Sequence, residues 1–446
     1  MGTFVPFSRD QSFLLPPDLR DWLPEDDLAH FIVAAVERVP LDAFRAKAAA
    51  SGKAQYHPRL MLALLVYCYA NGVFSSRRIE RATHRDIGVR YVAANLHPDH
   101  DTIAAFRRAN RTAFLRVLLL AREAGLLRVG AVAIDGTKLD ANASKIRSVR
   151  YDRAKALRAK LAADIAALTA RAEAADAEDA SDPQALPKEI ARREALKAKL
   201  DAACARLEAE ARAEAEAARP AYEAKKAAYD AKRGRRRGRP PKPPADDPPP
   251  ERQSNLTDPD SALMRRSDAH EYRQAYNAQA VVCADDGSQL ILATGVVATT
   301  ADAPSFAATV LAMEGTVGLP RTVLADTGFA NGKAVANLEA RGIAPLVAIG
   351  RAQPHRPYDF RPPPTPKRER RTAEPWRVAM QAKLQTDDAK ALYAKRKQTV
   401  EPAFGIIKSA MGFVRFRLRG LRNATTEWTL VALAYNCRRL HRMQAA

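Results

Sequence analysis

The chain has 446 residues, 47% of them hydrophobic, and a formal net charge of +21. That length and apolar content support a sizeable core and more than one domain, which excludes a disordered tail protein, and the cationic excess points to a polyanionic partner such as a nucleic acid. No run of about 18 apolar residues is present to span a bilayer, so no membrane partner is expected. The N-terminus lacks the basic-then-apolar order of a signal peptide. Cys68, Cys204, Cys283 and Cys437 are scattered without paired spacing. They suggest neither a zinc site nor a disulfide framework, and they suit a reducing cytoplasm.

In chain order, residues 1–128 read as a helical domain. Apolar positions recur at helical spacing from Leu28 to Val36, and Leu60 to Cys68 reads as a buried helix started by Pro58. Ser75 is expected to cap a helix with a charged face that carries Arg77, Arg78 and Arg81. Another helix begins near Asp99. Short helices with arginines on their faces suit a DNA-binding bundle; the same pattern also fits a solvated helical domain.

Residues 129–150 hold a first strand, Ala131 to Asp135. From 151 to 228 there is no Gly, and Leu157, Leu161, Ile165 and Leu168 step at helical spacing, as do Leu196, Leu200, Ala203 and Leu207. Ser181-Asp182-Pro183 and Pro187 break the run between them. This predicts a two-helix hairpin or coiled coil whose charges form a solvated face. Residues 229–255 include a basic, Pro-rich linker that cannot pack a core. Strands return over 256–446: two flank Asp285-Asp286-Gly287, a hairpin turn signal. A helix (304–315), a strand (321–326), a helix (332–340) and a strand (343–349) follow. A Pro- and Arg-rich loop then leads to C-terminal helices.

Three acids stand out against this pattern. Asp135 closes the apolar run Ala131-Val132-Ala133-Ile134, and Asp326 closes Thr322-Val323-Leu324-Ala325. Glu401 lies on a late helix, within Tyr393 to Lys408. Two carboxylates at the ends of buried strands and one on a helix can converge on a pair of hard cations. Two such ions clamp the attacking and leaving oxygens of an in-line phosphoryl displacement. With the hairpin and linker removed, the element order matches a ribonuclease H-like fold: a mixed α/β sheet flanked by helices, interrupted by an α-helical hairpin insertion and preceded by an all-α domain.

Ile134-Asp135-Gly136-Thr137-Lys138, Thr257-Asp258-Pro259-Asp260, Tyr276-Asn277-Ala278-Gln279, Ala325-Asp326-Thr327-Gly328-Phe329 and the Tyr393–Lys408 stretch carry a resemblance to DDE-type transposases of bacterial insertion sequences. The resemblance implies Asp135, Asp326 and Glu401 as catalytic metal ligands for two Mg²⁺ ions, with Mn²⁺ as a substitute. It implies cleavage at the element's inverted-repeat ends and joining of the freed 3′-hydroxyls to target DNA. Two ends handled together imply a homodimer or larger assembly, acting on the nucleoid in a bacterial cytoplasm. Tyr393, Arg396 and Lys408 correspond to the family's Tyr-Arg-Glu-Lys signature. Four residues separate Arg396 from Glu401 where the family has three, so Lys397 takes the spacing-correct place and either cation is a candidate DNA contact. A nuclease of the same fold that cuts without joining, and a non-catalytic DNA-binding remnant, are the alternatives.

Within that stretch Thr399 is expected to cap a helix that begins there, with Pro402 in its first turn. Val400, Phe404, Ile407 and Met411 form its buried stripe, and Glu401 and Lys408, seven apart, share a face beside it. Asp258 and Asp260 read as a turn, Asp140 and Asn142 as structural, and Trp428 as core. His57, His97 and His100 lack ligand spacing. In the linker, Arg237-Gly238-Arg239-Pro240 has the form of an AT-hook core for the A·T minor groove, and equally that of a nonspecific phosphate clamp.

Overall fold

The computed structural model describes residues 18–44, 55–110, 129–178, 185–231, 239–265, 271–285, 287–350 and 374–444. Residues 232–238 of the basic linker, Arg237 among them, and most of the Pro- and Arg-rich loop lie outside these residues. The chain divides into two compact units, Met1–Leu139 with Tyr276–Ala446, and Asp140–Ala275.

The first unit begins with short helices whose starts are written in the sequence. Helix α1 (Leu28–Glu37) is capped by Asp27, which accepts from Ala29 N at 2.7 Å. Helix α2 (Pro58–Ala70) starts at a proline that loses no helical bond at that position, and Met61 through Ala70 are all buried. Helix α3 (Ser76–Arg85) buries Ile79 and Thr83 and exposes Arg77, Arg78, Arg81 and Arg85. Ser75 makes no side-chain cap, contrary to expectation. Asp86 and Asp99 cap α4 (Ile87–Val92) and α5 (His100–Ala109), each accepting a backbone N–H at 2.8 Å.

The remaining elements are β1 (Ala131–Asp140), β2 (Ser148–Arg150), α6 (Tyr151–Glu178), α7 (Ala185–Asp230), β3 (Gln253–Asn255), β4 (Ala262–Arg265), β5 (Tyr272–Cys283), β6 (Ile291–Val297), α8 (Phe306–Leu311), β7 (Thr322–Ala325), α9 (Gly332–Ala340), β8 (Ala344–Val347), α10 (Pro375–Leu384), α11 (Asp387–Gly405) and α12 (Leu421–Gln444). In the first unit the sheet runs β6-β5-β1-β7-β8. β5 and β6 are antiparallel, whereas β1, β7 and β8 are parallel neighbours. Val132, Ile134, Val323, Ala325, Phe306, Phe329, Val335 and Leu338 belong to its main core. The continuous apolar runs of β1 and β7 follow from this central, doubly covered position.

Helix α12 is the hub of this unit, packing on β6 and on α1, α2 and α5. It also finishes the sheet edge. Asn436 donates to Ile291 O and accepts from Ile291 N, both at 2.8 Å, so β6 presents paired backbone there instead of an open ladder. Trp428 is fully buried and donates its indole N–H to Gln279 O at 2.7 Å, which makes it core.

In the second unit, α6 and α7 pack along each other. Arg158–Asp201 at 3.5 Å and Asp164–Arg193 at 3.4 Å run in opposite sequence order, so the two helices are antiparallel. Leu157 and Leu161 pack with Leu200, Cys204 and Leu207. β2 pairs with β3, and β4 pairs with the first residues of β5. Asp260 is ion-paired to Arg206 at 2.7 Å and Asp140 to Arg273 at 3.2 Å. Asn255 makes the turn ahead of Asp258, accepting from Thr257 N and Asp258 N.

One buried charge fixes α12 to the N-terminal helices. Glu427 is fully buried, and its oxygens accept from Tyr69 Oη at 3.0 Å, Arg417 N at 2.8 Å and Leu418 N at 3.0 Å. Arg107, itself buried, donates to Tyr69 Oη at 2.7 Å and lies 3.9 Å from the Glu427 carboxylate. Removing one member of such a set leaves an uncompensated charge indoors. Glu427→Ala is therefore expected to cost about 3–5 kcal/mol. Glu314→Ala, which breaks an exposed pair with Arg341, is expected to cost less than about 1 kcal/mol. Urea unfolding of both variants beside the wild type checks the contrast.

Candidate active site

The parallel pairing of β1 and β7 places the two strand-end acids. Ala131 faces Thr322, Val132 faces Val323 and Ala133 faces Leu324. The same register carried past the last paired residues sets Asp135 beside Asp326. Each carboxylate is anchored by backbone close to it: Asp135 Oδ1 accepts from Gly136 N at 2.7 Å, and Asp326 Oδ1 from Gly328 N at 2.8 Å. Short side chains held this way have little rotamer freedom to lose on binding.

Helix α11 delivers the next groups. Tyr393 donates its hydroxyl to Ala325 O at 3.1 Å, just before Asp326. Arg396 is buried and donates to Asp135 Oδ2 at 3.2 Å. Burial pushes the Asp135 carboxyl up to about 6; the nearby Asp326 charge adds to this, while Gly136 N–H and the Arg396 guanidinium oppose it. Burial likewise raises the Tyr393 hydroxyl above its ordinary value, with Arg396 opposing. The spacing ambiguity between the two cations thus has a structural counterpart: Arg396 is bound to Asp135, and Lys397 is exposed.

Glu401 does not join the two aspartates. It is exposed, and among the described residues no three His, Cys, Asp or Glu side chains stand close enough to hold one ion. It lies five positions after Arg396 along the α-helix, which turns it about 140° away around the axis. The expected helix start at Thr399 is also corrected. α11 begins at Asp387, and Thr399 bonds back to Lys395 O at 2.8 Å instead of capping. Pro402 therefore sits in a helix interior, where it cannot donate to Gln398 O. Gln289 Nε2 supplies the missing donor at 2.8 Å, and this offsets the backbone cost of the proline.

After Gly405 the chain makes a π-helical turn, Ile406–Ala410. Val400, Phe404, Ile407 and Met411 are buried, as their spacing predicts. The wider turn alters the α-helical seven-residue relation between Glu401 and Lys408. Lys408 is half-buried. Arg239 is exposed in the other unit. His100 meets Glu80 at 2.8 Å, and His97 meets Thr83 at 3.1 Å and stacks on His84.

One acid escaped the sequence reading. Asp302 precedes α8, and its Oδ1 accepts from Asn277 Nδ2 at 2.6 Å and Gln279 Nε2 at 3.1 Å. Asn277 and Gln279 alternate along β5 and so share one face of the sheet. Two side-chain amides on one face, in Tyr276-Asn277-Ala278-Gln279, were the available signal that a carboxylate lies opposite.

The donors around Asp135 and Asp326 are all oxygens, the chemistry that suits hard divalent cations bound by few carboxylates together with substrate phosphate. Residues 251–437 match the family model described as the transposase DDE domain, a segment that contains Asp326 and Glu401 and follows Asp135. Residues 17–109 match the model described as a transposase domain (DUF772). No curated protein and no solved structure matches the chain. With these two transposase domains placed one on the N-terminal helices and one toward the C-terminus, the chain belongs to the DDE-type transposases of insertion sequences.

Proposed function

We propose that this transposase cleaves DNA at the ends of its element and joins the freed 3′-hydroxyls to target DNA in one ribonuclease H-like site. The observation that carries the reading is the pair of strand-end carboxylates set side by side by β1 and β7. A mixed sheet with parallel β1, β7 and β8 and antiparallel β5 and β6 supports the fold assignment. Asp135 and Asp326 would hold divalent cations, Mg²⁺ or Mn²⁺, as a pair of ions, and Glu401 is the proposed third acid. Bound there, such ions supply Lewis-acid stabilisation of phosphoryl oxygens and a lowered pKa for water. Arg396 holds Asp135 in place and offsets its charge, and Tyr393 ties α11 to the end of β7.

Lys397, exposed beside Arg396 on α11, is the better candidate for a phosphate contact. Lys408 is a second candidate on the turn that follows. The N-terminal helices are proposed to meet DNA through α3, whose exposed Arg77, Arg78, Arg81 and Arg85 line the side away from Ile79 and Thr83. Arg237 and Arg239 in the linker are proposed as additional contacts. Two element ends require a dimer or larger assembly, and a cytoplasmic site of action goes with DNA as substrate. Among the described residues no helix is long and apolar enough to cross a membrane.

The deciding experiment is nicking and joining of a plasmid that carries the element ends, with Mg²⁺. Asp135→Asn, Asp326→Asn and Glu401→Gln keep size and lose charge. Each is expected to abolish cleavage while DNA binding stays within a factor of a few. Near wild-type cleavage by any one of them removes that residue from the triad, and cutting without joining by the wild type would favour the plain nuclease reading.

The cationic surfaces make a separate prediction about salt. Removing a cation that neutralises one phosphate should flatten the slope of log affinity against log salt by about 0.9. Replacing Arg77, Arg78, Arg81 and Arg85 with Ser, or Arg237 and Arg239 with Ser, is expected to reduce that slope. If the linker acts as an AT-hook, its replacement weakens binding more on A·T-rich than on G·C-rich duplexes. Binding titrations across salt on both duplexes check this, and an unchanged slope would show that the mutated surface does not meet DNA.

A further inference from the structure

We propose that Asp302 is a further acid of this site, a positioning residue that receives the hydration water of a divalent cation held at Asp326. The inference rests on the cation-binding reading given above. It begins with two glycines. A Cβ on Gly136, next to Asp135, would lie 2.7 Å from both Asp302 Oδ1 and Asn277 Oδ1. A Cβ on Gly328, two residues after Asp326, would lie 3.1 Å from Asp302 Oδ2 and 3.0 Å from Asp326 Oδ1. The motifs Asp135-Gly136 and Asp326-Thr327-Gly328 thus share a purpose, because each leaves the space that this one carboxylate fills. Its two oxygens lie between the backbones that follow the two strand-end acids.

The carboxylate is also fixed in orientation. Asn277 and Gln279 both donate to Oδ1. Gln279 is itself buried and set by its neighbours: its Oε1 accepts from Thr309 Oγ1 at 3.0 Å, so its amide nitrogen must face Asp302. Two amides on one oxygen leave Oδ2 turned to the Gly328 side, where Asp326 lies. Two carboxylates facing each other across Gly328 repel, and the amides on Asp302 Oδ1 do not reach between them. A cation with its water shell does. Mg²⁺ keeps several of its waters and takes only one or two carboxylates directly. A carboxylate one water removed then orients that shell, as partners beyond the direct ligands commonly do.

The test is Mn²⁺ binding to the full-length protein without DNA, measured by calorimetry, beside melting temperature. Asp302→Asn keeps an oxygen for Asn277 and Gln279 but loses the charge and the second acceptor. It is expected to raise the Mn²⁺ Kd about tenfold, within the range found when such outer partners are removed. Asp326→Asn serves as reference and is expected to weaken binding at least as much. Gly328→Ala is a second, independent variant: its methyl would push on both carboxylates, so it too is expected to weaken Mn²⁺ binding. If Asp326→Asn weakens binding while Asp302→Asn and Gly328→Ala leave the Kd unchanged, the role of Asp302 is overturned and the cation-binding reading stands. If Asp326→Asn leaves the Kd unchanged as well, both fall. A lower melting temperature with an unchanged Kd would mark Asp302 as merely structural.

Discussion

The parallel register between β1 and β7 is the constraint on which the site depends. It is a backbone relation, set by apolar residues that are fully buried, yet it decides where two charges end. Side-chain direction alternates along a strand, so a slip of one residue would turn one aspartate to the opposite face of the sheet. The apolar runs before Asp135 and Asp326 therefore act at a distance on the chemistry, because burial of Val132, Ile134, Val323 and Ala325 holds the register that brings the carboxylates together. Two like charges placed side by side repel, and the site compensates with Arg396 and with backbone N–H groups at Gly136 and Gly328.

Helix α12 passes that order on to the rest of the unit. Trp428 and Asn436 bind it to β5 and β6, while Glu427 binds it through Tyr69 and Arg107 to α2 and α5. The directional contacts matter here more than area. Apolar burial would let α12 slide or rotate at little cost, but a carboxylate with three hydrogen-bond donors and a guanidinium around it has one place to sit. The N-terminal helices, which carry the exposed arginines of α3, are in this way held in a fixed relation to the sheet that bears the acids.

Much of this was legible in the sequence, for identifiable reasons. The helix starts at Pro58 and near Asp99 were readable because a proline in a first turn and a short acceptor next to the first free N–H groups are local devices that need no tertiary information. The buried strands showed as uninterrupted apolar runs that end in aspartate, so Asp135 and Asp326 could be singled out before any contact was known. Ser75 shows the limit of the same reasoning, since a hydroxyl at a helix start need not turn toward it. Asp302 was hidden because nothing in Thr300-Ala301-Asp302-Ala303 distinguishes it. Its importance comes from residues on β5 and from the bare backbones of Gly136 and Gly328, far away in the chain. Lys397 and Arg396 could not be told apart by spacing because only the buried face of α11 decides which of two adjacent cations points inward.

The misplaced start of α11 is the most instructive case, since it rests on a sound rule. Proline is costly in a helix interior, and its usual place is the first turn. Reading Pro402 that way put a new helix at Thr399 and gave Glu401 an N-terminal position. The structure keeps one continuous helix from Asp387 because the cost can be met elsewhere: Gln289, in a left-handed conformation with φ +54°, donates to the carbonyl that Pro402 leaves unpaired. That contact joins the loop between β5 and β6 to the same helix that Tyr393 and Arg396 fix to β7 and β1. Helix α11 is thus pinned to the sheet through Tyr393 and Arg396 and to the loop between β5 and β6 through Gln398 O, while Glu401 is exposed at the proline, just ahead of the π-helical turn. A helix anchored in this way can bring Glu401 toward the aspartates only by rotating about its axis or by rearranging at the turn. Rotation would break the Arg396–Asp135 pair, so by that route Glu401, the proposed third acid, could arrive only as that pair is released.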